Sequence, residues 1–246
     1  MTKFTVKVIK IAGVLALFAF SLAVWAQDEM AIVSGDTVEG QITDDAFEIR
    51  YPFSGKAGDV VIIRMESAGQ DGGLQTPAFY VLLGDDQLID STRIFTLAQT
   101  FAYGVVQLPE DGDYVLLATR RDGQSGKSEG NFRLSFNVAT RLAADTEISA
   151  TGTDTSEQYY VIEPSGAFTL WYTKTGGRFT PSISISAIQD NGFSDQVAEM
   201  SGRFLDKGTL SITPDSGVLY VARVGKAFLS NSTGDVAYTL SYSASE

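Results

Sequence analysis

The sequence predicts an all-β chain of two tandem antiparallel β-sandwich domains, jelly-roll-like in type, that follow a signal peptide. Many short segments alternate apolar and polar residues with period two, and turn-forming residues separate them roughly every 8–12 residues, which is typical of sandwiches. The order of these segments recurs in the second half of the chain. Helical periodicity extends to no more than one turn, near Ser194–Met200.

Two segments, Val105–Ala118 and Thr209–Arg223, define the repeat. In each, an apolar run leads to a proline, an acidic residue and a glycine, at Pro109–Gly112 and Pro214–Gly217, before a second apolar run begins. Proline presets the first turn angle, aspartate bonds back to the turn backbone, and glycine adopts a positive φ. Both segments are therefore predicted to be strand, tight turn and strand, as in a β-hairpin.

The N-terminus has the pattern of a secretory signal peptide. Met1–Lys10 carries three lysines and no acid, Ile11–Trp25 is almost wholly apolar, and Ala23 and Ala26 supply small residues before a cleavage site. Residues 1–26 are thus predicted to be removed, and the mature chain to begin at Gln27 and to be secreted or periplasmic. An uncleaved signal anchor is the alternative, although the apolar stretch is short for a full span.

The composition excludes several function classes. The formal net charge is −12, and loss of the lysine-rich leader leaves the mature chain more acidic still, so nucleic acid is an unsuitable partner. Cysteine is absent, so the domains must be stable without disulfides. Histidine is absent too, which removes Ser-His-Asp triads and imidazole-based zinc sites.

The first half contains seven predicted strands besides the one that follows the turn at Pro109–Gly112. They are Thr37–Ile42, Phe47–Phe53, Val60–Met65, Phe79–Leu83, Ile94–Leu97, Ala102–Leu108 and Asn131–Val138. Phe47–Phe53 alternates as a half-buried strand should, whereas the continuous apolar run of Val60–Met65 suits a central strand. A turn is expected at Gly84–Asp86, and a polar, flexible loop at Arg120–Gly130.

The second half repeats this order. Four segments of the second half correspond, in order, to segments of the first. Thr146–Ala150 corresponds to Thr37–Ile42, Gln158–Ile162 to Phe47–Phe53, Phe168–Thr173 to Val60–Met65 and Pro181–Ala187 to Pro77–Leu83. The domains are therefore placed at residues 27–140 and 141–246. The joint, Ala139–Asp145, is short and lacks Pro and Gly, so the two domains are expected to touch, and cutting at Ala144 is expected to give two folded halves.

The turn glycines and strand aromatics of the first half carry a family resemblance. The motifs are Gly35–Ile42, Phe47–Tyr51, Gly58–Ile62, Gly112–Leu116 and Gly130–Leu134. Together they resemble the bacterial pre-peptidase C-terminal domain, a jelly-roll-like sandwich appended to exported proteases. The second half matches less well, because Thr146–Ala150 lacks the paired glycines and Val218 precedes Tyr220 where the pattern has Asp113-Tyr114. The resemblance implies a non-catalytic accessory role, in matrix or polysaccharide contact, calcium-assisted stability or assistance to a partner's folding.

Catalytic motifs are weak. A carboxylate-pair glycosidase needs two acids held roughly 5–9 Å apart, and the sequence ranks none of Asp59, Glu66, Glu157 and Glu163 above the others. Gly123–Ser128 resembles a phosphate-binding loop, but Arg121 stands where the first glycine is required. No catalytic residue is therefore assigned.

Acidic turns are the candidate metal sites. Asp85, Asp86, Asp111 and Asp113 put hard oxygen ligands in turns, where sandwich domains often hold calcium. Asp44-Asp45 and Asp190-Asn191-Gly192 are similar. The alternative is that these side chains only cap turn backbones. No cofactor is required, and calcium is the ion that these turns suit.

Aromatic side chains are the candidate ligand contacts. Trp171 and Tyr172, together with Tyr159, Tyr160 and Phe179, could form a platform on which sugar rings stack. The alternative, which is the default for most of these residues, is packing in the core. Because neighbouring residues on a strand point to opposite faces, one of Trp171 and Tyr172 should be buried and the other exposed. A glycosylation sequon occurs at Asn231-Ser232-Thr233.

These observations predict an exported non-catalytic binding or accessory protein, without a membrane segment in its mature form. Its partner would be a polysaccharide, the extracellular matrix or another exported protein. A carboxylate-dependent glycoside hydrolase and a structural subunit of an exported assembly are the alternatives. An accessory subunit should expose a contiguous apolar patch, and an enzyme should bring two carboxylates together in a cleft.

Overall fold

The computed structural model describes residues 30–69, 72–93, 100–189, 191–192, 194–201, 205–226 and 233–244. The predicted signal peptide, the predicted strand Ile94–Leu97 and most of the sequon at Asn231 lie outside these ranges. Within them the chain is a succession of β-strands joined by turns and two short 3₁₀ segments, Ser91–Arg93 and Gly123–Ser125. No helix in the described ranges has the length and apolar character needed to cross a bilayer.

Eight strands form the first sandwich. They are β1 (Thr37–Ile42), β2 (Glu48–Gly55), β3 (Val60–Ser67), β4 (Pro77–Leu83), β5 (Asp86–Asp90), β6 (Phe101–Gln107), β7 (Gly112–Arg120) and β8 (Gly130–Val138). Sheet I has the order β1-β8-β3-β6 and sheet II the order β2-β7-β4-β5. First therefore pairs with eighth, second with seventh, third with sixth and fourth with fifth, all antiparallel, as in a rolled-up long hairpin. This nesting is the topology of a jelly roll.

Nine strands form the second sandwich. They are β9 (Thr140–Arg141), β10 (Ile148–Thr153), β11 (Gln158–Ile162), β12 (Phe168–Gly177), β13 (Pro181–Ile188), β14 (Ser194–Met200), β15 (Lys207–Ile212), β16 (Leu219–Lys226) and β17 (Asp235–Ala244). Sheet III has the order β14-β13-β16-β11-β9 and sheet IV the order β10-β17-β12-β15. Apart from β9, the same nested pairing recurs, β10 with β17 through to β13 with β14. The predicted all-β, jelly-roll-like sandwich fold is thus confirmed, and the strand correspondences between the halves hold.

The two predicted hairpins are not hairpins. β6 lies in sheet I and β7 in sheet II, and likewise β15 lies in sheet IV and β16 in sheet III. The Pro-acid-Gly segments are therefore arches that cross from one sheet to the other. In the first arch the Tyr114 hydroxyl donates to the Glu110 carbonyl over 2.6 Å. In the second the Asp215 backbone N–H donates to the Tyr220 hydroxyl over 3.1 Å, so a tyrosine ties down each crossing.

A third apolar cluster joins the sandwiches. Its buried members are Val60, Ile62 and Val105 from sheet I and Tyr159, Val161 and Val221 from sheet III. The outer face of sheet I thus packs against the outer face of sheet III, and the four sheets are layered in the order II, I, III, IV. This packing explains the continuous apolar run of β3, because Val61 and Ile63 face the first core while Val60 and Ile62 face the second sandwich.

The joint between the sandwiches is ordered. The Ala139 N–H donates to the Val60 carbonyl over 2.8 Å, and β9 then adds to sheet III as a parallel strand beside β11. Leu142, 2% exposed, enters the second core. The Arg141 guanidinium donates to the Gly58 carbonyl in the first sandwich over 3.0 Å and forms an ion pair with Glu163 in the second. The expectation that the two halves touch is confirmed.

Two edge strands depart from the predicted secondary structure. The sequence predicts at most one helical turn near Ser194–Met200, but this segment is the edge strand β14 of sheet III. The strand β5, which the sequence does not predict, follows at once on the Gly84-Asp85 turn. Both have polar sequences, because an edge strand needs only one partner and little burial. The alternation in β13 also misled, since Ser182 and Ser184 on its polar side are buried.

The loop that resembles a phosphate-binding loop wraps around an arginine. Arg120 is fully buried, donates from Nε to the Gly123 carbonyl over 2.9 Å and from Nη1 to the Ser128 carbonyl over 3.2 Å, and pairs with Asp44 at 2.8 Å. The loop presents carbonyls to its own guanidinium, so this geometry suits a cation rather than a phosphate.

Candidate ligand-binding face

Trp171 and Tyr172 lie on opposite faces of β12. Tyr172 is 1% exposed and belongs to the second core, whereas 40% of Trp171 is exposed on the outer face of sheet IV. The expected division between a buried and an exposed aromatic is confirmed. Burial also removes Tyr172 from the list of accessible ligand contacts, and raises the pKa of its hydroxyl to about 12.

The wider aromatic platform does not form among these residues, and the alternative of core packing holds. Tyr160 and Phe179 are buried in the second core, and Tyr159 is buried between the sandwiches. Both faces of β11 are covered, one by sheet IV and the other by sheet I, so two successive tyrosines can each be buried. Trp171 therefore stands without an aromatic companion from this set.

Hydroxyl side chains surround Trp171. Across the sheet, Thr209 of β15 and Ser241 of β17 are its partners in register. One step along β12, Thr169 lies between Ser211 and Ser243, and the hydroxyls of Thr169 and Ser211 are 3.0 Å apart. The side chains nearest to the indole on the sheet are thus short, polar and uncharged.

This pattern extends over most of the outer face of sheet IV. In register with the rows above, Thr173 pairs with Thr239, which pairs in turn with Ser149. We call the set the hydroxyl face. It consists of Ser149, Thr151, Thr169, Thr173, Thr209, Ser211, Thr239, Ser241 and Ser243, with Trp171 near its centre; none of these side chains is buried. Ala237, the partner of Thr151 in register, lies among them without a hydroxyl. Lys207 and Asp235, each the first residue of its strand, are charged members of its margin.

The corresponding face of the first sandwich has different chemistry. Sheet I occupies the same topological position as sheet IV, and its outer face is partly apolar and partly charged. Val60 and Ile62 meet the second sandwich, and Arg64 and Arg133 contact Glu66 beside them, at 3.1 and 3.8 Å. The outer face of sheet I, which packs against the second sandwich, is therefore apolar with charged residues beside it. The interior of the hydroxyl face is uncharged.

A polar cleft of about 740 Å³ lies where the two sandwiches diverge. Arg64, Glu66, Arg133, Asp154, Glu157 and Lys226 are among its lining residues. Sequence reasoning missed it because it arises from the docking of two domains, which leaves no local signal.

Glu157 of this cleft accepts hydrogen bonds from Arg223 Nε, over 2.8 Å, and from the Tyr159 hydroxyl. Burial, and to a lesser extent the charge of Glu157, raises the pKa of Tyr159.

The carboxylates considered for hydrolysis have structural partners. Glu66, Glu157 and Glu163 are each paired with an arginine, and Asp59 accepts from the Lys56 N–H over 2.9 Å in a turn. Each of these four carboxylates thus makes a structural contact.

Two aspartates of the acidic turns accept hydrogen bonds from the end of β2 and the turn that follows it. Asp111 Oδ1 accepts from the Ala57 N–H over 2.8 Å, and Asp113 Oδ1 accepts from the Ser54 hydroxyl over 2.8 Å. Asp85 and Asp86 lie exposed where β4 turns into β5. Among the described residues, no three carboxylates converge to share an ion. The calcium prediction for Asp85, Asp86, Asp111 and Asp113 stays a prediction.

Comparison with known proteins adds fold-level likeness. No family model matches the sequence, and no curated protein does. Among solved structures, the chain is similar to the CUB1-EGF-CUB2 domain of human MASP-1/3, at 10% identity and a TM-score of 0.23 over 84% of this chain and 99% of that one. It is also similar to the CBM22-1-CBM22-2 tandem domain of Paenibacillus barcinonensis Xyn10C, at 10% identity and a TM-score of 0.23 over 89% and 87%.

The pre-peptidase C-terminal domain of collagenase from Bacillus anthracis is similar as well, at 14% identity and a TM-score of 0.34 over 44% of this chain and 93% of that one. It is the same domain type that the turn and strand motifs of the first half resemble.

Proposed function

We propose that this protein is an exported, non-catalytic binding module that contacts polysaccharide through the hydroxyl face. The observation that carries the proposal is the position of Trp171, 40% exposed near the centre of a sheet face on which most other side chains are serine and threonine. Export follows from the leader pattern of residues 1–26.

The chemistry of the face suits a sugar. The apolar face of a pyranose ring packs against an indole, and Trp also carries a polar N–H at its edge. Hydroxyls both donate and accept, as do the hydroxyls of a carbohydrate, so Thr209 and Ser241 on either side of Trp171 can match either requirement.

A role as a subunit packed on another exported protein has less support. Such a subunit should present a contiguous apolar patch. The exposed large apolar side chains of the described residues are instead distributed: Met30 and Val33 lie near the first of the described residues, Phe101 is on β6, Trp171 on β12 and Val197 on β14. The acidic charge of the chain makes nucleic acid and anionic membrane surfaces poor partners.

The test is affinity electrophoresis of the mature protein through gels that contain soluble polysaccharides of different backbones, together with pull-down on insoluble ones. At least one glycan should retard or capture the wild type, and Trp171→Ala should abolish the effect. Val197→Ala is the matched control, because it also removes an exposed apolar side chain, on β14 of sheet III, away from the face. Equal binding by wild type and Trp171→Ala would refute the proposal.

A further inference from the structure

The hydroxyl face is lined mainly by short side chains, and this restricts what it can bind. Most of them are serines and threonines of similar length on one face of a four-stranded sheet, at alternate positions of β10, β12, β15 and β17. Neighbouring strands are about 4.8 Å apart and alternate residues about 6.7 Å apart, so the hydroxyls form an open net of roughly that spacing. A net has no walls to enclose a single flexible chain.

From this open face and from the charge, we infer that the ligand is a neutral polysaccharide bound as a surface of packed chains, as in an insoluble particle, rather than as one soluble chain. The inference rests on the proposed function and names the class of glycan that the same face would take.

The first argument concerns the number of contacts. A single chain lying over Trp171 would gain one stacking contact and the hydroxyls along one row, such as Thr209 and Ser241. A surface of parallel chains would also cover the neighbouring row of Thr169, Ser211 and Ser243 at the same time. Each contact is weak in water, so strong binding needs many of them together.

The second argument concerns preorganisation. The face is the outer side of a sheet whose inner side forms the second core, and the hydroxyls of Thr169 and Ser211 are already held 3.0 Å apart. Side chains fixed by a sheet lose little further entropy when they meet a rigid surface. A rigid partner likewise loses little, whereas a soluble chain must be ordered upon binding.

The third argument concerns charge. The chain has a formal net charge of −12, so it repels acidic polymers at long range. The interior of the hydroxyl face carries no ionisable side chain that would pair with an anionic or a cationic sugar. A neutral glycan needs no charged partner on this face, and its binding should not depend on the salt concentration.

The experiment is a depletion binding assay with the mature protein. The probes are microcrystalline cellulose and chitin as neutral insoluble polymers, cellohexaose as a soluble neutral chain and alginate as an acidic one, each at low and high sodium chloride. We expect binding to an insoluble neutral polymer that changes less than twofold with salt, and at least tenfold weaker binding to cellohexaose and alginate.

Two variants test the site. Thr209→Asp places a charge beside Trp171 and should weaken binding to the insoluble polymer at least tenfold. Gln87→Asp adds the same charge to an exposed position of β5 in sheet II and should leave binding unchanged. Thermal unfolding of both variants shows whether each is folded, and Thr239→Asp, on β17, repeats the test at a second position if Thr209→Asp does not fold.

The outcomes separate the two proposals. Trp171-dependent binding that is as strong for cellohexaose or alginate as for the insoluble polymers would overturn this inference and leave the proposed function standing. Failure to bind any of the four probes, or binding that Trp171→Ala does not change, would overturn both.

Discussion

Tyr160 and Tyr238 meet hydroxyl to hydroxyl, 2.7 Å apart, in the core of the second sandwich. Tyr160 is on β11 of sheet III and Tyr238 on β17 of sheet IV, so this hydrogen bond ties the two sheets together through their interior. Tyr172 lies beside the pair, with its ring 5.6 Å from that of Tyr238, but its buried hydroxyl has no hydrogen-bond partner among the residues that the structure describes.

The three tyrosines should therefore respond differently to loss of the hydroxyl. Tyr160→Phe leaves the Tyr238 hydroxyl buried and unpaired, and should lower the free energy of unfolding by about 1–3 kcal/mol. Tyr172→Phe removes a buried hydroxyl that already has no partner, and should leave stability unchanged or raise it by about 1 kcal/mol. Urea unfolding of the two variants measures the difference. A loss in Tyr172→Phe as large as that in Tyr160→Phe would contradict the assignment.

Buried tyrosines also make the protein sensitive to alkali. Burial raises the pKa of Tyr103 and of Tyr172 to about 12 and raises the pKa values of Tyr159 and Tyr238 as well. In the unfolded chain a tyrosine ionises near pH 10. Between pH 10 and 12 the unfolded state therefore binds fewer protons than the folded state, and stability, complete below pH 10, falls as the pH rises.

We expect the thermal midpoint to be independent of tyrosine ionisation below pH 10 and to decrease steadily above it. Tyrosinate absorbance should show that the buried hydroxyls ionise together with unfolding rather than before it. Tyr103→Phe lacks one of the hydroxyls whose pKa is raised, so its thermal midpoint should decrease less steeply above pH 10 than that of the wild type. Reversible ionisation of all tyrosines near pH 10 in the folded state would contradict this prediction.

The strands were predictable wherever a single face is buried. Phe132, Leu134 and Phe136 alternate with polar residues in β8, and all three lie in the first core as expected. Pairing was less predictable. The residues Pro109–Gly112 specify a sharp change of direction, but an arch between sheets and a hairpin within one sheet need the same local chemistry, and only long-range packing distinguishes them.

The candidate site was predictable in part. Trp171 was found because it is an aromatic residue beside another on a strand, and the rule of alternating faces separated it from Tyr172. The hydroxyl face left a visible signal in the alternating Ser and Thr of Ser149–Thr151, Thr169–Thr173 and Thr239–Ser243. Threonine is also simply a favourable strand residue, so this signal gains meaning only when the register aligns the strands around Trp171. Tyr159 and Tyr160 misled because the docking of two sandwiches buries both faces of β11.

The joint between the sandwiches makes fragment stability depend on where the chain is cut. A fragment that begins at Ala144 lacks β9 and Leu142, whose N–H donates to the Val161 carbonyl over 2.9 Å and whose side chain is buried in the second core. A fragment that begins at Ala139 retains both. The longer fragment should be more stable by about 2–3 kcal/mol, the value of burying one leucine side chain.

Both fragments should self-associate, because each exposes Tyr159, Val161 and Val221, which the first sandwich covers in the whole chain. Chemical unfolding and analytical ultracentrifugation of the two fragments test these expectations. Val161→Asp should reduce the self-association of the longer fragment. Equal stability of the two fragments would show that β9 and Leu142 contribute little to the second sandwich.

The role of the acidic turns can be decided by calcium. Calcium prefers six to eight oxygen ligands, whereas Asp111 and Asp113 each already accept a hydrogen bond from the β2–β3 region, at Ala57 and Ser54. If Asp111 and Asp113 only cap these turns, the thermal midpoint of the mature protein should be the same with calcium and with chelator, since an ion that bound the folded state would raise it. The variants distinguish a cap from a ligand. Asp111→Asn keeps an oxygen that can accept from Ala57 and should be nearly as stable as the wild type, whereas Asp111→Ala should lose about 1 kcal/mol with or without calcium. A midpoint that rises with calcium in the wild type, and no longer does so in Asp111→Asn, would instead make Asp111 a calcium ligand.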